Sequence, residues 1–149
     1  QKLKYKSIGV QGHSLGAATI VYSFKDFSNY SFVVLESCYD NIDNAFEHRI
    51  QRIHLPLFLA TPIKWFAESR LKIKAKGLYP ENYMQKINCP SLFLCGDKEW
   101  QIPVVESKKL YDKCIATQKF FHVFKGAQHQ DFLHYNKTEY KAALDKVVP

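Results

Sequence analysis

One serine of this chain lies in a pattern that could make it a nucleophile. Ser14 is the centre of Gly12-His13-Ser14-Leu15-Gly16, which fits G-x-S-x-G. The residues before it, Lys6 to Val10, have the pattern of a short strand, and those after it, Leu15 to Tyr22, have the pattern of a helix. A sharp strand-to-helix turn of this kind exposes the serine hydroxyl and is known as a nucleophile elbow. We expect glycine at both ends because a side chain at either place would collide with the neighbouring strand or helix.

A serine hydroxyl becomes a strong nucleophile only when a histidine takes its proton and a carboxylate holds that histidine. Both groups stand in later loops. His129 is the last residue of the motif Gly126-Ala127-Gln128-His129, and Glu99 lies in the loop from Gly96 to Pro103. Each loop follows an apolar run typical of a strand. Because catalytic groups of parallel sheets lie in loops at the carboxyl ends of the strands, we expect Ser14 to meet an acid of the first loop and the histidine of the second.

Two other acids compete with Glu99 for the place beside His129. Asp97 stands in the same loop as Glu99, and Asp40 follows the second predicted strand. Each aspartate also has a structural interpretation, because turn aspartates bond loop amides and an aspartate before a helix caps it. Ser14 could likewise act only as the cap of its helix. The sequence leaves these alternatives open.

Strands and helices alternate along the chain and would position these loops. Apolar runs predict one strand before Ser14 and three more at 30–36, 91–95 and 119–124. Helices are predicted from Leu15 to about Phe27, from Pro103 through Tyr111, and after a cap at Asn136. Because the apolar runs are continuous, the strands are expected to be buried on both faces, as in a parallel sheet. We predict an α/β fold of three layers, with a parallel sheet and helices on both faces.

Residues 41–87 form a longer connection than a crossover requires, and we interpret them as a helical, lid-like insertion. The pattern of 41–53 suits a helix, and 56–66 is strongly apolar. Trp65 and Phe66 in this stretch are candidates to contact a substrate, as is His13 in the elbow. The alternative is that the two aromatic side chains pack in a core.

The insertion is also cationic. Between Arg49 and Lys76 there are seven lysines and arginines and one acid, Glu68. These basic side chains either solvate a helix or attract anionic lipid headgroups or acidic substrates. The second possibility supports a rival hypothesis, in which the chain is a non-catalytic scaffold that binds a partner or an anionic membrane surface through this insertion.

The elbow, the Glu99 loop and the His129 loop together resemble the C-terminal half of an α/β-hydrolase, and the resemblance covers most of the 149 residues. It implies that Ser14 is the nucleophile, His129 the base and Glu99 the acid, with glutamate replacing the usual aspartate. It also implies that the Leu15 backbone N–H is one oxyanion donor. A second donor would come from an N-terminal half of the domain. We therefore expect residues 1–149 to be part of a larger domain and to be inactive alone.

Three further stretches resemble serine-aminopeptidase-like hydrolases and the fermentation-respiration-switch-protein group. These are Glu36 to Asp40, the helix with Phe46 and Arg49, and the apolar region 56–66. The resemblance implies hydrolysis of a carboxylic ester or thioester through an acyl-enzyme, on a small-molecule or lipid-like acyl substrate. The acyl group and the leaving group are not indicated.

Composition and charge exclude several other classes of protein. The net charge is +7, but the basic residues are not interleaved with a stacking strand pattern or a helix-turn-helix pattern, so we expect no nucleic-acid partner. The four cysteines are far apart and form no cluster with histidines, so we expect reduced thiols, no metal and no cofactor. Free thiols favour the cytoplasm. The chain contains neither a run of about 18 apolar residues nor a signal-peptide pattern, and the localisation stays open.

Overall fold

A four-stranded parallel sheet forms the middle of the computed structural model, which describes residues 7–52, 54, 56, 58, 60–71 and 78–149. The strands are β1 (Gly9–His13), β2 (Phe32–Glu36), β3 (Ser91–Gly96) and β4 (Lys119–Phe124). Each strand pairs in parallel with the next one along the chain, in the spatial order β1-β2-β3-β4. The carboxyl ends of all four strands therefore lie at one edge of the sheet, where the loops of Ser14, Glu99 and His129 begin.

Six α-helices connect and cover the strands in the described part of the chain. They are α1 (Leu15–Ser23), α2 (Ile42–Arg52), α3 (Ala60–Leu71), α4 (Val104–Lys113), α5 (Phe132–Tyr135) and α6 (Lys137–Leu144). Two short 3-10 helices, Pro80–Asn82 and Met84–Lys86, lead into β3. No helix among the described residues has the length and apolar character needed to cross a membrane.

Two apolar cores lie on opposite faces of the sheet, because successive side chains of a strand point to opposite sides. In β2, Val33 and Leu35 belong to one core and Val34 to the other. The first core is completed by α1 and α4, and the second by α5 and α6. All six residues of β3 are buried, which explains why its sequence is continuously apolar. The predicted three-layer α/β fold is confirmed.

The predicted bounds of the first two strands and of the first helix differ from the structure, and the strand predicted at 30–36 is Phe32–Glu36. The first strand is Gly9–His13 and not Lys6 to Val10, of which Lys6 lies outside the described residues. It runs directly into the elbow because His13 pairs with Glu36, the last residue of β2. The helix predicted to about Phe27 ends at Ser23, since the next three N–H groups bond carbonyls only three residues back and form tight turns.

The region 41–87 contains α2, α3 and the two 3-10 helices, in agreement with a helical insertion. Lys64 of α3 is paired with Asp43 of α2, and the Tyr79 hydroxyl also donates to Asp43. These contacts join the two helices. Parts of the predicted insertion lie outside the described residues, namely Ile53, Leu55, Leu57, Leu59 and 72–77, which include Lys72, Lys74 and Lys76.

Candidate active site

Ser14 stands between β1 and α1 in a strained backbone conformation. Its φ of 54° lies in the left-handed region, with a ψ of −117°. A residue with a Cβ held in a sparsely populated region of this kind costs about 1 to 3 kcal/mol. The Ser14 N–H donates to the carbonyl of Glu36 at 2.8 Å, which ties the turn to β2. The side chain makes no capping hydrogen bond to α1, so capping does not explain the serine.

The glycines of the elbow differ in what they allow. A Cβ on Gly12 would lie 2.6 Å from the carbonyl carbon of Gly16 and 2.7 Å from the N atom of Ala17. Glycine at position 12 therefore lets α1 return close to β1. A Cβ on Gly16 would meet no described atom within 4 Å. The expected collision is right for Gly12 and wrong for Gly16, because Gly16 lies on an exposed side of α1.

Leu15 is the first residue of α1, and its side chain is largely exposed. Its backbone N–H is at the N-terminus of the helix, where donors lack acceptors within the helix and the helix dipole is positive. An N–H at this position, directly after Ser14, is suited to donate a hydrogen bond to a negatively charged oxygen.

Of the three candidate acids, Glu99 contacts His129 and the two aspartates do not. The Oε1 of Glu99 is hydrogen-bonded to the Nδ1 of His129, and the Glu99 side chain is fully buried. Asp97 instead accepts a hydrogen bond from a backbone N–H of the His129 loop at 2.5 Å. Asp40 is paired with Lys109 at 2.7 Å and also bonds polar groups at the start of α2. Asp97 therefore has the loop contact that its alternative interpretation requires, whereas the cap of α2 is the side chain of Asn41, which accepts the Asn44 N–H at 2.8 Å, and not Asp40.

The loop that contains His129 is hydrogen-bonded through its backbone to the loop that contains Glu99. The Lys98 N–H donates to the carbonyl of Ala127 at 2.9 Å. A Cβ on Gly96 would lie 2.3 Å from the same carbonyl oxygen, so glycine is needed for this approach. Gly126 turns the second loop with a φ of 81°, a conformation that favours glycine. The backbone contact between the two loops thus brings the imidazole to the carboxylate.

His129 lies beside the elbow without a hydrogen bond to Ser14. The ring centroids of His129 and His13, the neighbour of Ser14, are 4.6 Å apart. Among the contacts of the described residues, none joins the Ser14 hydroxyl to the imidazole. The nucleophile and base contact of a catalytic site is often long before substrate binds.

His13 packs between His129 and Phe132, with ring centroids 4.6 and 6.3 Å away. Its Nε2 is buried and has no hydrogen-bond partner in the described structure. Burial, and then the charge of His129, lower the pKa of His13.

A polar cavity of about 300 Å³ opens next to His13. Its other lining residues are Gln11, Glu36, Asp131 and Leu133. Burial raises the pKa of Glu36, whose Oε1 accepts hydrogen bonds from the Gln11 amide at 2.7 Å and the Tyr140 hydroxyl at 2.6 Å. Glu36 is therefore held by structural partners and does not contact His129.

Ser37 is a contact of Glu99 that the sequence analysis did not identify. Its hydroxyl donates to the Oε2 of Glu99 at 2.7 Å, so both oxygens of the acid have a partner. Ser37 directly follows β2, as Ser14 directly follows β1. That position at the carboxyl end of a strand was the signal available in the sequence.

The two aromatic residues of the insertion are exposed, and the core-packing alternative for them is wrong. Trp65 is 69% and Phe66 62% exposed. Trp65 lines a cavity of about 430 Å³ between α2 and α3, together with Asp43, Phe46, Glu47, Thr61, Lys64 and Glu68. None of Ser14, Glu99 and His129 is in this lining. Contact of Trp65, Phe66 or His13 with a substrate stays a prediction.

The cysteines and the acids form no other reactive centre in the described residues. All four cysteines are buried and unpaired, and burial raises the pKa of Cys89 to about 11 and that of Cys95 to about 12. Thiols of this kind are protonated at neutral pH and are poor nucleophiles. No group of three or more histidine, cysteine, aspartate or glutamate side chains within the described ranges is arranged to hold a metal ion.

No protein-family model matches the chain, and no curated protein matches it by sequence. Solved structures do match it. An esterase of Pyrococcus furiosus superposes with a TM-score of 0.73 at 22% identity, over 97% of this chain and 53% of the esterase. An α/β fold family hydrolase of Bacillus anthracis superposes with a TM-score of 0.64 at 16% identity, over 93% of this chain and 66% of that protein. This chain has the α/β-hydrolase fold.

A monoacylglycerol lipase of Paleococcus ferrophilus shares the α/β-hydrolase fold, with a TM-score of 0.61 at 21% identity over 93% of this chain and 67% of the lipase. This chain spans about half the length of the esterase. The fold predicted from the sequence motifs is therefore confirmed. The roles of the individual site residues, and the larger domain, stay predictions.

Proposed function

We propose that this chain carries the catalytic residues of a serine hydrolase that cleaves a carboxylic ester or thioester. Ser14 is the nucleophile, His129 the general base and Glu99 the acid that orients His129. The observation that carries the proposal is the hydrogen bond between the buried Glu99 carboxylate and His129. This histidine lies beside the strained turn of Ser14. A non-catalytic scaffold has no need of a buried acid against this imidazole.

In the proposed reaction, the Nε2 of His129 takes the proton of the Ser14 hydroxyl as its oxygen attacks the substrate carbonyl. Glu99 stabilises the imidazolium that forms and keeps Nε2 facing the serine. The carbonyl oxygen becomes negative and accepts a hydrogen bond from the Leu15 N–H. His129 then gives its proton to the leaving alcohol or thiol, which leaves an acyl group on Ser14.

Water completes the cycle in the same geometry. His129 takes a proton from a water molecule, which attacks the acyl-enzyme, and the proton returns to the Ser14 oxygen as the acid is released. The oxyanion needs a second donor, worth on the order of 10²-fold in rate. We propose that it comes from the part of the fold that the esterase has and this chain does not cover.

The proposed substrates are small or lipid-like acyl compounds. Two solved proteins with the same fold are an esterase and a monoacylglycerol lipase, which supports this class. The exposed side chains of Leu15, Trp65 and Phe66 are apolar surfaces on which an acyl chain could lie.

A fluorophosphonate probe on the full-length protein tests the nucleophile, since it reacts covalently with activated serines. We expect the wild type to be labelled and Ser14→Ala to be unlabelled, with both folded by circular dichroism. Ser28→Ala, which removes an exposed loop serine, is the matched control and should label like the wild type.

Hydrolysis of p-nitrophenyl esters and of acyl thioesters by the same variants tests the reaction. Ser14→Ala should lose ester turnover by a factor of about 10⁴ or more. Equal rates in the wild type and Ser14→Ala would refute the proposed function and favour the scaffold hypothesis.

A further inference from the structure

Both oxygens of the Glu99 carboxylate have a hydrogen-bond partner. One oxygen, Oε1, faces the Nδ1 of His129, and the other, Oε2, accepts the Ser37 hydroxyl at 2.7 Å. Ser37 is completely buried and Glu99 is 6% exposed, so water does not compete for either oxygen. A buried carboxylate with two directional partners cannot rotate about its terminal bond without losing one of them.

We infer that Ser37 is a positioning residue of the reaction, which fixes the Glu99 carboxylate so that its other oxygen points at His129. The inference rests on the proposed function, since it assigns a role to Ser37 through the acid of that site. Ser37 touches neither the substrate nor the reacting atoms in the proposed reaction.

The backbone of Ser37 supports this role. Its φ is 46°, in the left-handed region, where glycine would be the residue of lower energy. What serine adds at this position is its hydroxyl. The Ser37 N–H donates to the carbonyl of Leu94 in β3 at 2.8 Å, so the residue is fixed to the strand that leads into the Glu99 loop. The backbone that carries the hydroxyl is therefore fixed to the sheet.

This arrangement has a kinetic consequence. When His129 takes the proton of Ser14, the imidazolium is stabilised only while Glu99 keeps its orientation. Without the Ser37 hydroxyl the carboxylate gains rotational freedom and the charged transition state loses stabilisation. Substrate binding does not involve this hydrogen bond. We expect kcat to fall by about 10- to 100-fold, as for the loss of one hydrogen bond to a charged group, with KM unchanged.

The test compares Ser37→Ala and Ser37→Gly in the full-length protein. Both remove the hydroxyl, but glycine also relieves the strained φ, so the two variants should differ in stability and share the loss of kcat. Ser107→Ala is the matched control, because it also removes a buried serine hydroxyl, one that donates to the backbone carbonyl of Cys38 at 3.3 Å. It should keep the kcat of the wild type.

A second measurement repeats Ser37→Ala in a Glu99→Ala background. With no carboxylate to orient, the further loss of kcat should be less than about twofold. Independent losses that multiply would overturn the inference. So would a kcat loss in Ser37→Ala that Ser37→Gly does not share, because the cause would then be the backbone and not the hydroxyl.

The failure of this inference is distinguishable from the failure of the proposed function. If Ser14→Ala is inactive while both Ser37 variants have wild-type kcat, Ser37 has no positioning role and the proposed function stands. If Ser14→Ala is as active as the wild type, the proposed function fails, and the inference about Ser37 fails with it.

Discussion

Glu106 is a buried acid outside the candidate active site, and its removal should change how stability depends on pH. It lies in the first turn of α4 and is 4% exposed. Groups of three residues face it: the backbone N–H and the carboxylate of Asp40, the Nδ1 of His48 at 3.2 Å outside hydrogen-bond geometry, and the ammonium of Lys109. Burial, and then the Asp40 carboxylate, raise the pKa of Glu106 to about 8.

The sign of the effect follows from where the proton is bound. The ordinary pKa of this carboxyl is 4.5, so between about pH 4.5 and about pH 8 the folded protein holds a proton that the unfolded chain has lost. Folding stability from this group is therefore fully present below pH 4.5 and is lost as the pH rises to about 8. At about 1.4 kcal/mol for each pH unit, the loss is on the order of 5 kcal/mol.

The substitution Glu106→Gln keeps the shape of the protonated acid and removes its titration. We expect the free energy of unfolding of Glu106→Gln, minus that of the wild type, to rise by a few kcal/mol between about pH 5 and about pH 8. Urea unfolding of the full-length protein at each pH measures it. Asp112→Asn, on an exposed acid of the same helix, is the control and should show no such rise. A difference between Glu106→Gln and wild type that is the same at both pH values would refute the reasoning.

Three other predictions concern the elbow, the acid and a helix cap. Gly12→Ala should lower the free energy of unfolding by about 3 kcal/mol because its Cβ meets the backbone of α1. Gly16→Ala should leave the free energy of unfolding unchanged or raise it by up to about 1 kcal/mol. Thermal unfolding compares the two variants, and equal effects would contradict the packing of α1 on β1. Glu99→Gln should lower kcat by about 10³- to 10⁴-fold and Asp97→Asn by at most about tenfold, and ester hydrolysis with the reverse order would make Asp97 the acid. Asn136→Ala should cost about 1 kcal/mol of stability in urea, because its side chain accepts the Glu139 N–H at 3.1 Å, and an unchanged midpoint would show that this cap is not stabilising.

Local patterns in the sequence predicted most of the fold. The continuous apolar runs of β2 and β3 reflect burial on both faces, which depends on residue type and period and not on distant partners. The cap of α6 by Asn136 was likewise predicted from one residue and the pattern after it. The start and end of β1 were not predicted correctly, because its extension to His13 comes from pairing with β2, 23 residues further along the chain.

The exposure of the insertion also depended on tertiary structure. The stretch around Trp65 and Phe66 is apolar enough to suit a core, and composition alone does not distinguish a core from an exposed surface. In the structure α3 contacts α2 through the ion pair of Lys64 with Asp43, which leaves both aromatic side chains toward solvent. The side that a helix buries is decided by its neighbour.

For the candidate site, the sequence by itself determined which residues are candidates for the chemistry, and the structure decided which of their side chains are in contact. The motifs around Ser14 and His129 selected candidates for a nucleophile and a base, because the residue types and the turns that carry them are local properties. They could not choose among Glu99, Asp97 and Asp40, since that choice depends on which side chain reaches the imidazole across two loops. The contact of Glu99 with His129, and the hydroxyl of Ser37 behind it, exist only because parallel strands bring residues 37, 99 and 129 to one edge of the sheet.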